Sequence, residues 1–161
     1  MLPEIGQISL LIALVLSLLL SALPLWGAHT QNAALMKTAK PLAYSLLIAV
    51  TISYALLTWA FLQYVFTVAY VAKNSNSLLP VLYQFSAVWG AHEGSLLLWV
   101  LILCTWTSAV ALFSKALPNE VISRVLSVMG MVALGFLAFT IFTSNPFERL
   151  LPGAMEGRDL N

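Results

Sequence analysis

The side chains best suited to chemistry are concentrated in one stretch, residues 89–99, which reads WGAHEGSLLLW. His92 and Glu93 stand together there, directly before a long apolar run, and Gly90 and Gly94 flank them. Ionisable groups inside a membrane are costly and are functional candidates by default, and this chain places two of its few charges together at a membrane boundary. The two glycines would let a ligand or a second backbone come close.

Aromatic residues recur at a spacing of seven around this histidine. If one helix continues through the whole region, Phe85, His92, Trp99 and Trp106 share a face that drifts by about 20° per heptad. A histidine flanked by aromatic planes suits a flat conjugated cofactor such as haem or a quinone, so His92, Trp89 and Trp99 are the candidate cofactor-facing residues. The alternative is structural: the tryptophans anchor helices at the membrane boundary, and the histidine bonds to a neighbouring loop.

Composition indicates a protein whose main solvent is lipid. The chain of 161 residues is 61% hydrophobic and 8% charged, whereas soluble domains average roughly 45–50% apolar and about 25% charged residues. The single cysteine, Cys104, excludes an internal disulfide and a four-thiolate metal site. There is no C-x-x-C-H, so the chain is not itself a c-type cytochrome, and no metal site is predicted. A net charge of +1 indicates no nucleic-acid partner.

The predicted fold is an all-α membrane protein with about four transmembrane helices. Roughly 20 apolar residues cross the hydrocarbon core of a bilayer, and four runs have that length: about 8–25, 41–64, 95–113 and 120–143. A short helix from Pro80 to about Val88 is predicted to lie at the membrane interface before the third span. Residues 1–143 then form a four-span membrane domain, and residues 144–161 an outer-side tail that is truncated or continued in another chain.

Residues 26–40 are interpreted as a polar connection, and residues 65–71 as an extended, strand-like segment because β-branched and aromatic side chains alternate there. Ser123, Ser127 and Gly130 line one stripe of the fourth span, which predicts a close-packing seam.

Basic residues predict the orientation in the membrane. The segments that follow the first and third predicted spans hold four of them: Lys37, Lys40, Lys115 and Arg124. The long middle loop holds only Lys73, so the amino terminus and the 65–94 loop are expected on the outer side. His29 and His92, which end two copies of the tetrad WGAH, then fall on opposite faces, about 30 Å apart. They cannot bind the same iron, and the repeat is interpreted as chance.

Seven stretches carry a recognisable signature: Pro3–Gly6, Pro24–Gly27, Phe66–Val68, Asn74–Asn76, Trp89–Trp99, Phe142–Phe147 and Glu156–Asn161. Together they resemble the CcmF family, the large membrane subunit of the cytochrome c haem lyase. The resemblance extends over essentially the whole chain and corresponds to the amino-terminal portion of a longer family member. The resemblance implies that Gly90, Glu93, Gly94, Asn74 and Asn76 belong to the family's motifs. The family's established haem ligands lie beyond residue 161, so no catalytic residue is assigned and no ligand role passes to His92.

The resemblance implies a multi-pass protein of the bacterial inner membrane, with the 65–94 loop on the periplasmic side. The complete complex would attach haem covalently to C-x-x-C-H apocytochromes c, with haem b as its substrate or cofactor; none is predicted for this segment alone, which is not expected to be active by itself. Implied partners are the remainder of the lyase subunit, a haem chaperone, thiol-handling subunits of cytochrome c maturation, apocytochrome c and membrane lipid. A paralogue dedicated to one nitrite-reductase cytochrome would share these residues.

Two other functions are weighed against this one. The first is a proton- or ion-conducting subunit with His92 and Glu93 as relay groups, but a relay needs further ionisable residues along the spans, and the interiors of the second and third spans contain none. The second is a non-catalytic membrane scaffold that only packs helices.

Overall fold

The computed structural model describes residues 2–154 and 156–158. Its helices, in chain order, are α1 (Leu2–Thr30), α2 (Ala33–Lys37), α3 (Ala39–Leu62), α4 (Ala69–Asn74), α5 (Val81–Gly90), α6 (His92–Phe113) and α7 (Asn119–Phe142). Four of these, α1, α3, α6 and α7, are long and apolar enough to cross a membrane. The predicted all-α, multi-pass membrane fold is therefore confirmed, and the short helix predicted from Pro80 is α5.

The four long helices form a closed ring in which neighbours run antiparallel. α1 packs against α3 and α7, and α6 packs against the same two helices from the other side. One end of the ring, here called the cap end, carries α4, α5 and the segment after α7. The other end, here called the basic end, carries the turn between α6 and α7 and the basic residues His29, Lys37, Lys40, Lys115 and Arg124.

Small residues allow the long helices to approach closely. The predicted seam on α7 is confirmed, because Ser123 and Ser127 are buried and a Cβ on Gly130 would lie 3.0 Å from Leu20 Cγ on α1. Serine hydroxyls also bond across helices, as Ser108 does by donating to the carbonyl of Ala43 at 3.2 Å. Packing of this kind replaces the hydrophobic driving force that lipid removes.

The connection between the first two spans is more helical than predicted. α1 continues through Pro24 to Thr30, and α2 begins after Asn32, whose side chain caps the amide of Ala34 at 3.0 Å. The polar connection over residues 26–40 is therefore helical for most of its length. The end of α1 is held by packing, since a Cβ on Gly27 would approach α2 to within 2.7 Å.

The extended segment predicted for residues 65–71 is wrong in its second half. Only Val68 pairs as a strand, in one antiparallel bridge to Arg149, and α4 begins at Ala69. Alternating side chains predict a strand with one buried face, whereas Val68 to Ala72 are all buried. Burial on every side removes the reason for alternation, so tertiary packing overrides the local preference.

The cap end is closed by the segment after α7, which lies along residues 67–77. The backbone amide of Leu150 donates to Thr67 O at 2.9 Å, and that of Arg158 donates to Ala72 O at 2.7 Å. The guanidinium of Arg149 pairs with Glu4 at the start of α1 and bonds to the hydroxyl of Thr67 at 2.5 Å. The described part of the 144–161 tail is thus an integral part of the cap; Asp159, Leu160 and Asn161 of the signature lie outside the described residues.

Candidate functional site

The stretch that contains His92 is built around a break between two helices. α5 ends at Gly90, Ala91 is extended (φ −125°, ψ 176°), and α6 begins at His92. The proposal of one helix through the whole aromatic series is therefore wrong: Phe85 belongs to α5 and does not share the face of His92. Trp99 and Trp106 remain on the same exposed face of α6 as the histidine.

Tyr70 on α4 holds this break in place. Its side chain is 2% exposed, and its hydroxyl donates to the carbonyl of Val88 at 2.9 Å, with the carbonyl of Ala91 at 3.4 Å. Its ring meets Phe61 edge-on, with the ring centroids 5.3 Å apart. Burial raises the pKa of Tyr70 to about 12, so the hydroxyl keeps the proton that it donates. One side chain therefore joins α4, the end of α5 and the start of α6.

The two glycines of the stretch have different roles. A Cβ on Gly94 would overlap the carbonyl oxygen of Val88 and crowd the hydroxyl of Tyr70. A Cβ on Gly90 would meet nothing within 4 Å. The expectation that a second backbone approaches the glycines is therefore confirmed for Gly94, whereas Gly90 faces open space.

His92 lies at the mouth of a groove between α6 and α7. Its ring is exposed and meets Phe139 of α7 edge-on, with centroids 6.2 Å apart and planes at 88°. Directly below, an apolar groove of about 350 Å³ is lined by Leu96 of α6 and, on α7, by Met131, Val132, Gly135, Phe136 and Phe139. An imidazole at the rim of an apolar groove can hold the polar or metallic centre of a ligand whose body is apolar.

The two predicted tryptophans stand on either side of the helix break and point outwards. Trp89 is partly exposed and touches Phe85 with the ring centroids 6.3 Å apart, while Trp99 is 66% exposed on α6. Glu93 lies beside His92 in the first turn of α6, where the helix dipole favours a carboxylate. No hydrogen bond or ion pair ties Glu93 to another described residue, so its charge is available to a partner.

If a haem bound at the cap end, His92 would be the histidine of this chain placed to hold its iron. The chain's other histidine, His29, is in the last turn of α1 at the basic end, whereas His92 is at the cap end. Among residues 2–154 and 156–158, no three of His, Cys, Asp and Glu come together as a metal group. His92 at the rim and the apolar walls of the groove would be the parts of this segment that hold such a ring.

Comparison with known proteins shows which proteins this chain is similar to. A family model described as "Cytochrome C assembly protein" matches residues 89–161, so the match begins at Trp89. The chain is 56% identical to the cytochrome c-type biogenesis protein CcmF of Pseudomonas aeruginosa and 52% identical to CcmF of Escherichia coli K12, in both cases over all of this chain. A solved structure titled "Cytochrome c Heme Lyase CcmF" superposes on 92% of the chain with a TM-score of 0.87 and 28% identity. The chain is similar to CcmF proteins along its entire length.

It corresponds to the amino-terminal portion of these proteins. The chain spans about a quarter of the length of the CcmF relatives that it matches, 25% for both species and 25% of the solved chain. NrfE of Haemophilus influenzae, another cytochrome c-type biogenesis protein, is 41% identical over the same share of its length. The resemblance inferred from the seven signature stretches is therefore confirmed.

The two asparagines of the signature stretch, Asn74 and Asn76, have structural partners. The amide of Asn74 donates to Tyr70 O at 2.9 Å and so ends α4. The side chain of Asn76 accepts from the amide of Leu78 at 3.1 Å and donates to Arg158 O at 3.4 Å. Both residues shape the cap and hold its closing segment, and neither is near the α6–α7 groove.

Two residues that organise the site were not singled out by the sequence. Tyr70 lies inside the segment interpreted as a strand, and Gln84 lies in the short helix predicted from Pro80. Gln84 is buried, and its amide donates to Leu79 O at 2.6 Å and to the hydroxyl of Tyr64 at 2.8 Å. A hydrogen-bonding side chain in an otherwise apolar run could have indicated both residues. Buried polar groups are nearly always hydrogen-bonded, so such a side chain predicts a specific partner.

Removal of the Tyr70 hydroxyl is expected to destabilise the protein while leaving its fold intact. Tyr70→Phe leaves the Val88 carbonyl without this donor, which costs about 1–2 kcal/mol. Tyr83→Phe is the matched control, because Tyr83 lies on α5 with 65% of its surface exposed. Thermal unfolding in detergent should show a lower Tm for the first variant only; equal Tm values for both would remove Tyr70 from its organising role.

Proposed function

We propose that this chain is the amino-terminal part of a CcmF-type haem lyase, which takes part in attaching haem covalently to C-x-x-C-H apocytochromes c. The names of the relatives and of the solved structure support the activity for the complete protein. The observation that carries the proposal for this segment is that the family match begins at Trp89, where His92 stands exposed above an apolar groove.

The proposed role of the segment is to shape a haem-facing surface. Haem b is the substrate of the complete protein, a flat apolar ring with a metal at its centre. His92, Trp89 and Trp99 form the rim of this surface, and Glu93 adds a negative charge beside it. In the reaction the two vinyl groups of haem form thioether bonds with the two cysteine thiols. The porphyrin supplies the electronic chemistry, while the protein orients the ring and the peptide.

The proposed location is the bacterial inner membrane, with the amino terminus and the 65–94 loop in the periplasm. Residues 1–143 form the four-span domain, and residues 144–161 the tail on the periplasmic side. The basic residues of the basic end support this orientation, because cytoplasmic loops collect Lys and Arg. The cap end also contains Arg149, but that arginine is paired with Glu4. Its presence is therefore explained by a local contact.

The proposed partners follow from this location. The remainder of the lyase subunit would supply the missing helices and further haem ligands. A haem chaperone, thiol-handling subunits of cytochrome c maturation and the apocytochrome would approach from the periplasm, where the cap end is exposed.

Substitution of His92 and Glu93, one at a time in the intact protein, tests the proposal. We expect His92→Ala to lower covalent haem attachment at least tenfold at normal protein levels, and Glu93→Gln to lower it less. His29→Ala, at the basic end, is the matched control and should keep normal attachment. The readouts are haem-stained c-type cytochrome and the Soret absorbance of the purified protein. Unchanged attachment in both variants would reduce the stretch to a helix-packing role.

A further inference from the structure

A second groove lies at the basic end, at the opposite end of the helix ring from His92. It has a volume of about 550 Å³, runs between α1 and α7, and is lined by Ser21, Ala22, Leu25, Trp26, His29, Arg124 and Met131. One part of its wall is apolar, and the part nearest the end of α1 carries an indole, an imidazole and a guanidinium. That division matches a molecule with an apolar chain and a charged head.

The charges of this groove favour an anionic head. Arg124 lies in the second turn of α7, about 7 Å along the helix from its start, and its side chain is more than half exposed. Within residues 2–154 and 156–158 its hydrogen bonding is limited to Glu120, which accepts from Nη2 at 2.6 Å. The guanidinium has five N–H donors, so the remaining ones stay available to a phosphate. Lys37, Lys40 and Lys115 lie at the same end, where the part of the chain that the structure describes has one carboxylate, that of Glu120.

The depth of the groove agrees with the level of lipid head groups. Trp26 is 65% exposed at the end of α1, and exposed tryptophans mark the boundary between head groups and acyl chains. Ala22 and Leu25 lie up to one turn deeper, on the side of the hydrocarbon. Basic pockets between helices at a membrane boundary are the usual binding places of anionic lipid head groups.

We propose that this groove binds an anionic phospholipid. Arg124 and His29 contact its phosphate, Trp26 lies beside the glycerol region, and one acyl chain follows Ala22, Leu25 and Met131. The site is separate from the haem-facing surface, and its existence does not depend on the activity proposed for that surface.

Lipid retention by the intact protein tests the site. The protein is purified in mild detergent, supplied with phosphatidylglycerol, phosphatidylcholine or inorganic phosphate, and examined by native mass spectrometry. We expect phosphatidylglycerol to be retained in preference to phosphatidylcholine. Arg124→Gln should lower its retention at least fivefold, whereas Lys115→Gln, which removes the same charge outside the groove, should not. Binding of inorganic phosphate to the same extent would show an anion site without a lipid and would overturn the proposal.

A second variant keeps the test decisive if Arg124→Gln fails to fold. Ala22→Trp places bulk in the groove at an exposed position without changing a charge, and it should lower phosphatidylglycerol retention in the same way. Equal retention in wild type, Ala22→Trp and Lys115→Gln would overturn the proposal. A second result would also overturn the proposal: the intact protein retains no phosphatidylglycerol, and its Ala22→Cys variant is not labelled by a lipid-soluble maleimide. That result would mean that a protein segment fills the groove.

Discussion

Gly94→Ala is expected to be the most damaging single substitution in the WGAHEGS stretch. The new Cβ would overlap the carbonyl oxygen of Val88 and crowd the hydroxyl of Tyr70. Neither neighbour can move easily, since one is backbone and the other is a buried ring. Overpacking of this kind costs roughly 2–3 kcal/mol, and it would separate the end of α5 from the start of α6. We therefore expect the folded, monodisperse fraction of the intact protein to fall sharply.

The same stretch contains the control for this prediction. Gly90→Ala adds the same methyl group four residues earlier, where nothing lies within 4 Å. Alanine is also preferred over glycine in a helix by about 1 kcal/mol, so the stability of this variant should match or exceed that of wild type. Fluorescence-detected size exclusion after a heating series compares the two. Equal losses for both variants, or a loss confined to Gly90→Ala, would contradict the close approach of Val88 to Gly94.

Gly135→Phe is expected to abolish haem attachment while the protein remains folded. Gly135 lies on the floor of the α6–α7 groove, and a Cβ there would meet nothing within 4 Å. A phenyl ring at this position would fill the space below His92 without disturbing the helix ring. If the groove receives part of the haem, attachment should fall to background, at least tenfold below wild type.

Val128→Phe is the matched control for groove filling. Val128 is exposed on the same face of α7, two turns nearer the basic end, and does not line the groove. Covalent haem in a co-expressed apocytochrome is measured for both variants at equal protein levels. Normal attachment in Gly135→Phe would exclude the groove as a haem surface. Loss of folded protein in Gly135→Phe alone would also contradict it, because the groove would then be a packing surface for another helix.

The sequence was sufficient for the membrane-spanning helices and insufficient for the cap. Spans follow from hydropathy because lipid forces a continuous helix on any long apolar run. The cap is stabilised by contacts between distant segments, such as Ser77 with Glu156, whose carboxylate accepts from the amide and hydroxyl of Ser77 at 2.9 Å. Local patterns carry no information about such pairs. For this reason the segment at residues 65–71 was assigned to the wrong element.

The candidate site could be predicted only in part, because local sequence patterns carry no information about contacts between distant segments. His92, Glu93 and the tryptophans stood out because ionisable and aromatic residues are conspicuous beside an apolar run. The break at Ala91 did not, since the side chain that bonds to the carbonyls of Val88 and Ala91 is Tyr70, which lies 21 residues before Ala91. The heptad of aromatic residues looked continuous in sequence although the helix that would carry it is interrupted. The α6–α7 groove was also missed, because its walls come from two helices, and the way those helices pack is set by the arrangement of all four spans.

The carboxylate of Glu156 helps to hold the segment after α7 against the rest of the cap, and this makes the cap sensitive to acid. Hydrogen bonds from the Ser77 amide and hydroxyl and from the Gly157 amide hold the pKa of Glu156 below its ordinary value of 4.5. A depressed carboxyl pKa stabilises the folded state above the unfolded pKa, and that contribution is lost as the pH falls through the folded value. The closing segment should therefore be secure at neutral pH and loosen only in acid.

Accessibility from the periplasm tests the central claim most directly, because the haem-facing surface must lie on the side where apocytochromes are completed. Lys73→Cys at the cap end and Lys115→Cys at the basic end are matched exposed positions, prepared with Cys104 replaced by alanine. A membrane-impermeant maleimide added to intact cells from outside the inner membrane should label position 73, and should label position 115 only after the membrane is opened. Labelling of 115 and not of 73 would place His92 in the cytoplasm and contradict the proposed function.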